Sequence, residues 1–75
     1  MIIVVHLHTI LQQGGHNQLE IEMPVGSTIG ELMSLLNIGL SLEDIIIAVN
    51  NRTANIDQIL QEQDVVHFIP AISGG

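Results

Sequence analysis

The run Ile2 to Thr9 is apolar and β-branched, with no glycine or proline, and it predicts a strand. A turn follows at Gln13-Gly14-Gly15-His16-Asn17. Leu19-Glu20-Ile21-Glu22-Met23 then alternates apolar and acidic residues, the period of a half-buried strand. The two strands form an N-terminal hairpin. The Gly14-Gly15 pair is not a phosphate loop, because neither a lysine nor GxGxxG spacing accompanies it, and a turn accounts for it.

Pro24-Val25-Gly26-Ser27 closes the hairpin, and Thr28 with Glu31 has the spacing of a capping box. Ile29, Leu32, Met33 and Leu36 recur on one helical stripe, which predicts a helix over 29–37. Asn37 to Gly39 supplies residues able to take a left-handed cap. Ser41 to Asp44 is compatible with one further turn. Ile45-Ile46-Ile47-Ala48-Val49 is a continuous apolar run, which predicts a buried strand, and Asn50-Asn51 is a turn signal. Asn55 to Leu60 reads as a short helical turn. Val65 to Ile69 is the last strand, stopped by Pro70, which has no N–H for a ladder. The first and last strands are too far apart to form a hairpin. Placed parallel at the centre of a sheet, with the helix across one face, they make an α+β fold: a β-grasp roll with a mixed sheet of four or five strands. Ile3, Val5, Leu32, Leu36, Val66 and Phe68 are its expected core. Residues 1–70 form the domain and 71–75 a tail free of the sheet.

Composition narrows the functional classes. Seventy-five residues that are 47% hydrophobic, with a mean hydropathy of +0.49, exceed what a domain this small can bury. Some apolar surface is therefore expected to face a partner. The net charge is −7, with Arg52 the only Lys or Arg, which argues against nucleic acid and for a basic protein partner or a simple solubility role. Cysteine is absent, so disulfides and thiolate metal sites are excluded. No signal pattern and no membrane-length apolar run is visible, and a cytoplasmic location with no membrane association is the expectation.

The end of the sequence carries the candidate chemistry. Ser73-Gly74-Gly75 offers two residues without Cβ, which can thread a channel too narrow for any other residue, and leaves the Gly75 carbonyl open on both faces. Against this stands an ordinary frayed end. Leu60-Gln61-Glu62-Gln63-Asp64-Val65-Val66, the ending Ile69-Pro70-Ala71-Ile72-Ser73-Gly74-Gly75 and the order of elements together resemble the MoaD/ThiS group of ubiquitin-like sulfur carriers. The proline five residues before the last glycine is more similar to the small subunit of molybdopterin synthase than to the carrier for thiamine thiazole.

The resemblance implies a fold, a reaction and a set of partners. An E1-like adenylating enzyme would use ATP to activate Gly75. A sulfur donor enzyme would then displace AMP to leave a thiocarboxylate. The tail Ser73-Gly74-Gly75 would enter a larger synthase subunit, with which the chain would form a heterotetramer. On this reading the chain is not an enzyme by itself and holds no permanent cofactor. Two departures from the family pattern stand out. Gln63 replaces a usual glycine in the turn before Asp64, and Leu7 to Gln12 lacks an arginine that often marks that edge.

Strand alternation places Ile2, Val4, His6 and His8 on one face of the first strand, with His67 and Ile69 on the same face of the last. Ile2, Val4, His67 and Ile69 are the expected partner face. Three imidazoles converging there also fit zinc, but no carboxylate at matching spacing orients them, and no metal site is assigned. Three classes stay open: a sulfur carrier, a protein modifier conjugated through Gly75, and an interaction module with an incidental tail.

Overall fold

In this computed structural model, which describes residues 1–8, 18–37 and 44–70, the centre of the molecule is a parallel strand pair. Strand β1 (Ile2–Leu7) runs beside β5 (Val65–Pro70), with Val5 opposite Val66 and Leu7 opposite Phe68. Ile3, Val5, Val66 and Phe68 have no solvent exposure. The remaining strands extend the sheet outward. β2 (Gln18–Glu22) pairs antiparallel with β1. β3 (Ile45–Val49) pairs antiparallel with β5, and the two-residue β4 (Arg52–Thr53) closes the far edge. The order β2-β1-β5-β3-β4, with the single helix α1 (Ile29–Leu36) as its crossover, is a β-grasp.

The helix begins where the sequence placed it. Thr28 Oγ1 accepts from the Glu31 N–H at 3.3 Å, and Glu31 Oε1 accepts from the Thr28 N–H at 2.9 Å, so the capping box is complete. Two further N–H groups of the first turn have no partner inside the helix. Ile29 N–H donates to the Gln58 carbonyl and Gly30 N–H to the Ile56 carbonyl, both at 3.0 Å. Asn37 ends the helix in the left-handed conformation, with φ 57°. Ile29 and Leu32 are buried against the sheet. Met33 and Leu36 are half-buried and pack on the same core, so Leu36 seals its margin and is not one of its fully buried members.

Three local expectations change. Asn55 to Leu60 is not helical. It is one turn, with Gln58 N–H donating to the Asn55 carbonyl, followed by a bridge between Thr28 and Ile59. The carbonyls of this segment face the helix N-terminus, and bonding there replaces continuation of the turn. The Asn50-Asn51 signal is a two-residue hairpin loop with φ 51° and 72°. Positive values at both positions give a type I′ turn, which brings Val49 opposite Arg52 and adds a strand too short to read from periodicity. Finally, β5 extends one residue further, to Pro70, which lies opposite Ile45 without donating to the ladder. The predicted turn at 13–17 and the tail 71–75 lie outside the described residues, as does most of the predicted turn at 41–44.

Gln63 occupies the left-handed region, with φ 66°. Its N–H donates to the Ile2 carbonyl at 2.8 Å, and Asp64 Oδ2 accepts from the Gln61 N–H at 2.8 Å, so the turn is held despite the side chain. The conformation disfavours any residue with a Cβ by about 1 kcal/mol. Gln63→Gly is expected to raise stability by about that amount, read as a higher urea midpoint at unchanged slope. An unchanged or lower midpoint would show that the turn carries no such strain.

Candidate functional site

One helix covers one face of the sheet, and the opposite face has no second layer among the described residues. Register builds that outer face row by row. Ile2 lies opposite Glu22, and Val4 lies between Glu20 and Val65. The next row runs Gln18, His6, His67, Ala48 and Thr53 across all five strands. Ile69 and Ile46 form a further pair. Ile2 is 38% exposed and Ile46 42%, while Val4, Val65, Ala48, His67 and Ile69 are half-buried. These are large exposures for apolar residues in the middle of strands, and the patch is contiguous.

Sequence reasoning placed Ile2, Val4, His67 and Ile69 on this face, and alternation puts them there together. It missed Ile46, Ala48 and Val65. The continuous apolar run 45–49 predicts a buried strand, but its burial alternates, with Ile45, Ile47 and Val49 inward and Ile46 outward. The signal that reveals Ile46 is architectural: the one helix among the described residues covers one sheet face and leaves the other to alternate outward.

The histidines meet at the centre of the patch. The His6 and His67 rings stack with centroids 4.5 Å apart and planes 8° from parallel. His8 Nε2 lies 2.9 Å from His67 Nδ1, a hydrogen bond in which one ring donates and the other accepts. Parallel strands produce this contact, because His6 and His67 are register partners on the same face. Burial pushes the His67 imidazole below its ordinary value of 6.5, and the neighbouring His6 and then His8 push it further in the same direction. Stacked rings aim their in-plane lone pairs in parallel and not at a common point. Among the described residues no group of three His, Cys, Asp or Glu side chains is arranged to hold a metal ion. The convergence foreseen for His6, His8 and His67 is real, and its geometry suits packing better than ligation.

The second candidate feature, Ser73-Gly74-Gly75, lies outside the described residues. The strand that leads to it is central and flanked on both sides, by β1 and β3. A family model for the ThiS family matches residues 4–75. The chain belongs to the ThiS family. That family comprises ubiquitin-like sulfur carriers and modifiers, and its match takes in the fold, the outer face and the closing diglycine.

Solved structures agree on the architecture. A putative molybdopterin converting factor subunit 1 from Pyrococcus furiosus is 26% identical, with a TM-score of 0.78 over 95% of this chain and 98% of that one. SAMP1 from Haloferax volcanii superposes at a TM-score of 0.83 with 17% identity, covering 100% of both chains. A complex of subunits 1 and 2 of the molybdopterin-converting factor from Helicobacter pylori contains a chain at a TM-score of 0.70 and 21% identity, again with 100% of both chains covered. The last two likenesses concern the fold alone. A search of the curated proteins finds no match. Among the described residues of this ThiS-family chain, no helix is long and apolar enough to cross a membrane.

The depressed His67 pKa has a consequence for folding. The unfolded chain binds a proton at His67 near pH 6.5, and the folded chain binds it only at lower pH. Stability is therefore fully present above about pH 6.5 and is lost as pH falls from there through the folded value. His67→Gln is expected to flatten that part of the profile. Urea midpoints of both proteins between about pH 7.5 and about pH 5 provide the check. An equal fall in both would assign the acid sensitivity to other groups.

Proposed function

We propose that the chain is a sulfur carrier whose Gly75 carboxylate is activated and converted to a thiocarboxylate, acting as the small subunit of a molybdopterin synthase. The observation that carries this reading is the family match over residues 4–75, with its diglycine end. The likeness to the Pyrococcus subunit supports the molybdopterin branch. A carboxylate with an ordinary pKa of about 3.3–3.7 is ionised at neutral pH and is a poor electrophile. An E1-like enzyme joins it to the α-phosphate of ATP and releases pyrophosphate. Sulfide supplied by a donor enzyme then attacks the Gly75 carbonyl, forming a C–S bond as the C–O bond to AMP breaks, and loss of the S–H proton leaves the thiocarboxylate. The thiocarboxylate is a strong nucleophile that the larger subunit receives on the tail Ser73-Gly74-Gly75. The chain supplies no general acid or base, and the partner face Ile2, Val4, His67 and Ile69 holds it in place. The setting is the cytoplasm.

Two other readings keep a specific motive. The family model is named for the ThiS family, and delivery to thiamine thiazole uses the same terminal chemistry. SAMP1 shares the whole fold, which leaves room for conjugation through Gly75 to lysines of other proteins. This chain has no lysine on which to build chains of itself.

Intact mass from the native cell separates the classes: a gain of about 16 Da, one oxygen replaced by sulfur, marks the carrier. High-mass adducts mark a modifier, and an unmodified mass in every condition favours a plain interaction module. Deleting Gly75 moves the reactive carbonyl back by about 3.3–3.6 Å along an extended chain, beyond what a positioned reaction tolerates. Gly74→Val adds two methyl groups to a tail that must pass a narrow channel. Both variants are expected to fold with stability nearly unchanged and to lose ATP-dependent product formation with the cognate partners. Full activity of the deletion would sink the carrier reading. Ile69→Asp, in the middle of the outer face, is expected to leave the domain folded and to weaken binding of the larger subunit; unfolding would instead assign that side chain to the core.

A further inference from the structure

The outer face lacks what protein interfaces commonly use as anchors. Large aromatic side chains carry much of the binding energy at such surfaces. Phe68 is the only Phe, Tyr or Trp in the chain, and it is fully buried in the core. The one planar surface that the described residues offer outside is the stack of His6 on His67, edged by His8. It occupies the middle row, with Val4 and Val65 on one side and Ile69 and Ile46 on the other.

Resting on the reading of the outer face as the docking surface of the carrier, we propose that the His6–His67 stack with His8 is the anchor of that surface in its neutral form, and that it fits a protein partner with an apolar centre and Lys or Arg along the side that meets the β2 edge. Charge complementarity selects this occupant. The carboxylates on the face belong to Glu20 and Glu22 on the edge strand β2, opposite Val4 and Ile2, and the chain as a whole carries −7. Register places these described residues on the face around the stack: Ile2 and Val4 on β1, Gln18, Glu20 and Glu22 on β2, Ile46 and Ala48 on β3, Thr53 on β4, and Val65 and Ile69 on β5, with His8 just past the end of β1. Arg52 shares the face of buried Val49 and points away from the stack.

The neutral form follows from the geometry. The His8–His67 bond requires a lone pair on one of the two facing nitrogens. Two imidazolium rings stacked at 4.5 Å would repel each other. Docking removes the water that would otherwise screen such charges, and basic side chains on the partner add to the repulsion. Docking therefore opposes proton uptake by the stack, and binding weakens as pH falls.

The test is calorimetric titration of the full chain with the purified larger synthase subunit from the same genome, at about pH 7.5 and about pH 5.5 and equal ionic strength. Circular dichroism confirms that both proteins are folded at both values. The wild type is expected to bind several-fold more weakly in acid. The double variant His6→Phe, His67→Phe keeps flat apolar rings that cannot charge; it should retain its affinity at the higher pH and lose most of the pH dependence. The double variant His6→Ala, His67→Ala should bind about tenfold more weakly at the higher pH. Equal wild-type affinity at both pH values, undiminished pH dependence in the Phe variant, or wild-type affinity in the Ala variant would overturn the proposal. Absence of binding to the subunit while the adenylating enzyme still yields thiocarboxylate would overturn the docking proposal and leave sulfur carriage intact. Binding with the expected pH profile but no thiocarboxylate would remove sulfur carriage alone.

Discussion

Parallel pairing of β1 with β5 is the constraint on which the other features depend. It joins the two ends of the described chain, so every element between them must be accommodated by one crossover. The helix fills that crossover and covers the face where Ile3, Val5, Val66 and Phe68 converge. It also sets the side chains of the other face in register, which is why His6 meets His67 and Val4 meets Val65. A long-range parallel ladder forms against the entropy of closing a loop of some sixty residues. The reward is a core of β-branched and aromatic side chains excluded from water, each contributing roughly 1.5–3 kcal/mol relative to exposure.

The second constraint is size. The described residues build two layers, a helix on one sheet face, and leave the opposite face with apolar side chains uncovered by them. In an isolated domain such a face is a liability. Here its β2 edge carries the carboxylates Glu20 and Glu22, and a net charge of −7 opposes self-association. The same arrangement presents a partner with an apolar centre and an acidic edge. The plain and functional readings of the charge are therefore compatible.

Much of this was legible in the residues themselves. The Thr28–Glu31 spacing, the stripe from Ile29 to Leu36 and the alternation of β1 and β2 each follow from local chemistry, and each reappears in the fold. The convergence of His6, His8 and His67 was legible because the parallel pairing was inferred first. What escaped was non-local. Asn55 to Leu60 has helix-forming residues, but its carbonyls are claimed by Ile29 and Gly30. The strand at Arg52 exists only because two asparagines accept positive φ. Ile46 looked buried because an unbroken apolar run conceals its own alternation. Gln63 stood out only against the family pattern; its left-handed backbone is the physical reason that a glycine is usual there. Of the candidate site, the outer face was legible through strand periodicity, while the diglycine lies outside the described residues.

The position of β5 bears on how the molecule carries mechanical load. The strand is flanked by β1 and β3, and its last residue is Pro70. Hydrogen bonds to both neighbours lie across the direction of the strand. A pull on the chain beyond Pro70, such as a partner exerts when it draws that end toward itself, acts along β5 and loads those bonds in shear, many at once. A terminal hairpin would instead unzip one bond at a time under the same force. The central strand thus makes the domain a mechanical clamp that withstands traction from its own C-terminal side.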